Sequence, residues 1–183
     1  RPFALKYSRG KLYIGSVTTG EGTGAVSTQD NNTGNPEYTD LWAYVWELNP
    51  ATGIFTATPV LQFPLNFNRG TNGDGLSETW RPWTNTLPSP WTGTAHGFSQ
   101  FQQPMFSDIE FDSDGTMVIG FRDRFGDQSG YDQSGLNGTV RFAGQAMGDL
   151  YRAYYNRTSC VFELEQNAKE GPSSAKVATA GAN

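Results

Sequence analysis

An apolar hairpin pattern that occurs twice constrains this chain more than any other feature. Residues 5–15 read Leu-Lys-Tyr-Ser-Arg-Gly-Lys-Leu-Tyr-Ile-Gly, and residues 109–120 read Ile-Glu-Phe-Asp-Ser-Asp-Gly-Thr-Met-Val-Ile-Gly. With a one-residue insertion, Leu5 matches Ile109, Tyr7 matches Phe111, Leu12 matches Met117, Ile14 matches Ile119 and Gly15 matches Gly120. Each segment alternates apolar and polar residues, turns through a glycine (Gly10 or Gly115), and returns as a more uniformly apolar strand. Glycine supplies the positive φ that such a turn needs. Gly15 and Gly120 fall where a strand bulges or another part of the chain approaches closely.

A second hairpin follows each of the first. Residues 41–48, the turn Asn49-Pro-Ala-Thr-Gly53 and residues 54–58 form one; residues 149–154, a turn near Asn156 and residues 160–164 form the other. Stretches with apolar residues at three-and-four spacing are lacking, and Gly, Thr, Asn and Pro interrupt everywhere, so the chain reads as all-β. Two sets of four antiparallel strands, repeating after about 105 residues, suggest two blades of an incomplete β-propeller. The expected organisation is a first blade over 1–58 with a long loop at 18–40, and an aromatic-rich insertion between blades over 59–105. A second blade follows over 106–165 with a long loop at 122–148, and then a flexible tail over 166–183. In an up-and-down sheet alternate connections share an end, so the long insertions should decorate one rim, where rigid scaffolds usually carry function.

The segments 106–127 and 148–153, with the tail 178–183, resemble propeller-like regions of large, poorly characterised bacterial cell-surface or secreted multidomain proteins, often with Cna-B-like or adhesion-type repeats alongside. The resemblance implies an extracellular or cell-surface, non-catalytic, structural or interaction role. It also implies an incomplete domain, in keeping with an apolar pattern that starts directly after Arg1. Two blades close no ring, since propellers use typically about 4–8. Other fragments of the same parent chain, or further copies, are therefore the expected partners, with a glycan as the alternative.

Composition removes several function classes. The net charge is -5, with 13 Lys and Arg against 18 Asp and Glu, which disfavours a nucleic-acid partner. No apolar run is long enough for a membrane-spanning helix. One histidine, His96, and one cysteine, Cys160, disfavour His-based catalysis and exclude both an internal disulfide and a Cys-based zinc site. Cys160 reads as a small buried residue of an apolar strand.

Four groups of residues are candidates for ligand binding or catalysis. Trp80, Trp83 and Trp91 are candidates for stacking on sugar rings, which would make the chain a carbohydrate-binding module or the glycan-recognising part of a secreted hydrolase; the plainer reading is a small aromatic core. Asp123, Asp127 and Asp132 are candidates for calcium, the one cofactor considered, although Arg122 and Arg124 beside them suggest ion pairs instead. Asp112 and Asp114 open like a calcium loop but sit at a hairpin where Asp and Gly favour turns anyway. Asp108 and Glu110 share a strand face, as a glycosidase pair or a solvated face would.

Overall fold

The computed structural model describes residues 1–21, 40–67, 69, 79–83, 97–99, 101–134, 141–144, 146–166, 169–170 and 176–177. Strands dominate. In the first sheet β1 (Pro2–Ser8), β2 (Lys11–Val17) and β3 (Trp42–Asn49) pair antiparallel in sequence order. The fourth position is shared. β4 (Ile54–Phe55) pairs with Leu48 and Asn49, and β5 (Leu61–Pro64) pairs with the stretch from Trp42 to Val45. The interruption carries Pro59, which has no N–H to give to a ladder. The sequence reading ended this strand at Thr58; the chain returns to β3 for four further residues.

In the sequence, β6 (Gly97–Ser99) comes between the two sheets. The second sheet runs β7 (Pro104–Phe111), β8 (Met117–Asp123), β11 (Asp149–Asn156) and β12 (Val161–Leu164), again antiparallel in that order. Its long connection holds a helix, α1 (Arg124–Ser129), then β9 (Gln133–Ser134) and β10 (Arg141–Gly144). β10 pairs antiparallel with β9 and parallel with β6, so two connections expected to be separate share a small sheet. The tail, read as a linker, pairs β13 (Lys169–Glu170) with β14 (Lys176–Val177).

The two sheets are equivalent in register. Leu5 pairs with Ile14 and Tyr7 with Leu12; Ile109 pairs with Ile119 and Phe111 with Met117. Even the irregularities match. A bulge at Phe3 sets Ala4 against Gly15, and a bulge at Ser107 sets Asp108 against Gly120. The turns share one end of the assembly, since the Arg9 guanidinium lies 3.3 Å from where a Cβ on Gly115 would sit. The opposite end gathers the chain entering and leaving the long connections: the Trp83 N–H donates to Thr19 O at 2.8 Å and Arg124 N–H to Gln103 O at 2.9 Å.

The sheets stack face on face around one core. Ala4, Tyr13, Val17, Ala43, Val45, Leu61 and Phe63 come from the first; Phe106, Ile109, Met117, Ile119, Phe121, Tyr151, Ala153 and Phe162 come from the second. β1 and β2 pack on β7, and β5 lies beside β12, where the Phe162 N–H donates to Val60 O at 2.7 Å. Matched positions do not face each other. Ile109 and Ile119 point into the core, whereas Leu5 is 64% exposed and its partner Ile14 half-buried on the outer face. The sheets therefore stack head to tail, each presenting the same side in the same direction.

The interface closes most tightly at Gly15. A Cβ there would sit 2.8 Å from Ala4 Cβ and 2.8 Å from Phe106 Cδ2. Gly120 is roomier: its nearest neighbours, Asp108 Cβ and Leu150 Cδ2, lie at 3.5 and 3.6 Å. Gly15→Ala is expected to destabilise the fold by about 1–3 kcal/mol or more through overpacking. Gly120→Ala is expected to be neutral or slightly stabilising, because alanine restricts the unfolded chain. Urea unfolding of both variants checks this; equal losses would contradict the inter-sheet contact.

Candidate interaction surface

The outer face of the first sheet is largely apolar. Cross-strand pairing aligns Leu5, Ile14 and Trp46 in one row and Tyr7, Leu12, Leu48 and Phe55 in the next. Ser16, Tyr44 and Gln62 form a third row, and Trp42 sits against Pro64. No paired position on this face is charged. Trp42, Tyr44 and Trp46 follow one another at every second residue, as a strand dictates. Their ring centroids are 6.4 Å apart and their planes within 26° of parallel. Leu5, Tyr7 and Phe55 are each at least half exposed, and the rest of these apolar side chains are half-buried among their neighbours. Contiguous exposed apolar faces of this kind are uncommon on monomeric proteins.

The outer face of the second sheet is its opposite. Asp108, Glu110, Arg122, Arg152 and Glu163 share it with Val118, Leu150 and Tyr154. Several of these charges are already engaged: Glu110 Oε1 accepts from Lys6 Nζ at 2.6 Å, and Arg152 lies 2.7 Å from Asp112. The carboxylate pair considered for glycosidase chemistry is thus split between an ion pair and a local turn, where Asp108 Oδ1 accepts from Ile109 N–H at 2.9 Å.

Two blades that close no ring are expected to leave an apolar outer face at each end; the structure has such a face on the first sheet, whereas that of the second is charged. The sequence signal lies in Leu12-Tyr-Ile14 and Leu41-Trp-Ala-Tyr-Val-Trp46, apolar at consecutive positions, the pattern of strands covered on both sides.

The tryptophans considered for sugar stacking go elsewhere. Trp80 is fully buried beside Phe121; its Nε1 donates to Tyr151 Oη at 3.2 Å, and the Arg69 guanidinium lies 3.7 Å from its ring centroid. Trp83 is buried against Phe3, donates from Nε1 to Pro104 O at 2.8 Å, and lies 4.8 Å from the Arg124 guanidinium. Both join the main core at the long-connection end. Trp91 and His96 lie outside the described residues. Burial, then Asp149, raises the Tyr151 phenol well above its usual range.

The three aspartates considered for calcium are not brought together. Asp123 is buried and caps α1: its Oδ1 accepts from Phe125 N–H and Gln103 N–H, both at 2.9 Å, and its Oδ2 accepts from Met147 N–H at 3.3 Å. Asp127 pairs with Arg122 at 2.8 Å, and Asp132 sits at a positive φ of 53° beyond the helix. Among the described residues no three His, Cys, Asp or Glu side chains converge as a metal site would require. Asp112 and Asp114 belong to the hairpin, where Gly115 N–H donates to Asp112 O and Thr116 N–H to Asp114 Oδ1, each at 2.9 Å. Cys160, expected in a strand interior, occupies the turn before β12 at a φ of 58° and is exposed. No helix among the described residues is long and apolar enough to cross a membrane.

Neither a family model nor a solved structure matches the chain. Colossin-A of Dictyostelium discoideum is 32% identical over 136 residues, which is 72% of this chain and 1% of that protein. The chain thus spans about a hundredth of the curated relative it matches. That relative is eukaryotic, which overturns the expected resemblance to bacterial cell-surface proteins, and with no matching family model the Cna-B and adhesion-type connection has no support.

Two outcomes follow from the buried groups. Burial pushes the Asp123 carboxyl up to about 6 against the opposing pull of its backbone donors. The folded state then binds the proton more tightly than the unfolded chain, so this group's contribution is greatest below about pH 4 and is lost as pH rises through about 6. Its size is up to about 3 kcal/mol, and Asp123→Asn should flatten that slope in unfolding experiments between pH 4 and pH 7. Trp80→Ala is expected to cost roughly 3–5 kcal/mol of stability, measured by the shift in the urea midpoint; a shift near zero would contradict its core position.

Proposed function

We propose that the chain is a non-catalytic interaction unit, built as two consecutive propeller-type blades, whose packing surface is the outer face of the first sheet. The observation that carries the reading is the head-to-tail equivalence of the sheets. The side bearing Ile109, Phe111, Met117 and Ile119 is covered by a neighbouring sheet; among the described residues no sheet covers the matching side bearing Leu5, Tyr7, Leu12 and Ile14. Stacked repeats end in a polar outer face where the stack stops. The second sheet has such a face, with Asp108, Glu110, Arg122, Arg152 and Glu163; the first has none. A sequence that makes both sides of a sheet apolar is suited to contacts on both sides. The small share of Colossin-A that the match covers is consistent with a unit that works inside a much larger assembly.

The test uses an apolar fluorescent dye at low protein concentration. The native chain should enhance its emission, and the double variant Leu5→Lys, Tyr7→Lys should lose most of that signal at an unchanged unfolding midpoint, because both side chains are more than 60% exposed. Leu150→Lys, on the other sheet, should retain it. Equal dye binding by the double variant and the native chain would sink the reading.

A further inference from the structure

We infer that, in the absence of other occupants, the apolar face of the first sheet packs against the same face of a second copy, forming a closed two-fold dimer. This rests on the reading of that face as a packing surface and adds the identity of its occupant. The argument is one of charge and area. A two-fold interface sets a patch against itself, so any net charge there would be self-repelling. The chain carries a net charge of -5, yet every paired position on this face is neutral. It is therefore a face that can meet its own copy without opposing like charges.

A second copy offers no better surface. Its inner faces are already covered by each other. Its other outer face carries Asp108, Glu110, Arg122, Arg152 and Glu163, and burying these against Leu5, Ile14 and Trp46 would strip them of water while the apolar face offers no polar group in exchange. Head-to-tail growth between copies is thereby disfavoured, and the association stops at two. Sheets packed face to face sit about 10 Å apart with their side chains interdigitated, and a ladder of large rings such as Trp42, Tyr44 and Trp46 fills such a layer. Three strands of seven or eight residues, with a fourth position shared by β4 and β5, give a footprint of roughly 20 by 25 Å. That is about 500 Å² per copy, below the roughly 800 Å² of a standard interface. The dimer is accordingly a reversible one, concentration-dependent rather than permanent.

Sedimentation velocity on the full chain over a wide concentration series tests this. The native chain should move from monomer to a dimer plateau with no larger species. Leu5→Arg and, separately, Tyr7→Arg should remain monomeric throughout, with native circular dichroism and unfolding midpoints. Leu150→Arg should dimerise as the native chain does. A native chain that stays monomeric, a dimer that survives both arginine variants, or open-ended growth beyond two would each overturn the second-copy assignment. Monomeric protein whose dye signal is still lost in Leu5→Lys, Tyr7→Lys would overturn this assignment while leaving the packing surface itself in place. Absence of any dye difference would remove both.

Discussion

The contact on which the molecule most depends is the ring of Phe106 lying over the backbone of Gly15. Phe106 is fully buried, and removing such a ring from water contributes about 1.5–3 kcal/mol. The contact also sets the distance between the sheets, because Gly15 and the small side chain of Ala4 together leave the space the ring fills. Tyr13, Ala43 and Val45 can then meet Ile109, Ile119 and Phe121 across a continuous layer. The large and small residues are distributed unequally. The first sheet supplies Gly15, Ala4 and Ala43 to the interface, and the second supplies most of the rings.

Much of the strand plan was legible in the sequence, and the reason is local. Hairpin register follows from turn chemistry and alternation, so the pairings of Leu5 with Ile14 and of Ile109 with Ile119 could be read from residues a few positions apart. Which side of a strand is covered is a different kind of information. Leu5 and Ile109 are similar residues in similar surroundings, and only the placement of the second sheet makes one exposed and the other buried. The fourth strand of the first sheet was cut short because Pro59 looks like an end, whereas it interrupts an edge that resumes at Leu61. The six residues of α1 are too few to show a helical period, and only the capping carboxylate of Asp123 announces them. Trp80 and Trp83 were recognisable as important through size, but their burial in the core depends on segments distant in sequence, among them Tyr151 and Pro104.

Asp123 shows how the long-connection end is held. Its two oxygens accept from the backbone of three segments: the approach to β7, the start of α1 and the approach to β11. A carboxylate that gathers backbone N–H groups normally ionises readily, but here desolvation is the larger effect. Arg69 works alongside it, donating to Met147 O at 3.3 Å while its guanidinium rests on Trp80. Polar side chains thus close the end of the core where the strands stop and main-chain groups would otherwise go without partners.

The parallel pairing of β6 with β10 bears on the order in which the molecule assembles. The turns at Gly10 and Gly115 close short loops, so their hairpins can form early and independently. β6 belongs to the passage between the sheets and β10 to the passage inside the second, so β7 and β8 separate them in sequence although they pair directly. The entropic cost of joining distant segments is smallest once the intervening chain is already folded. This small sheet is therefore expected to form late and to open early, and its amides should exchange with solvent well before those of β8.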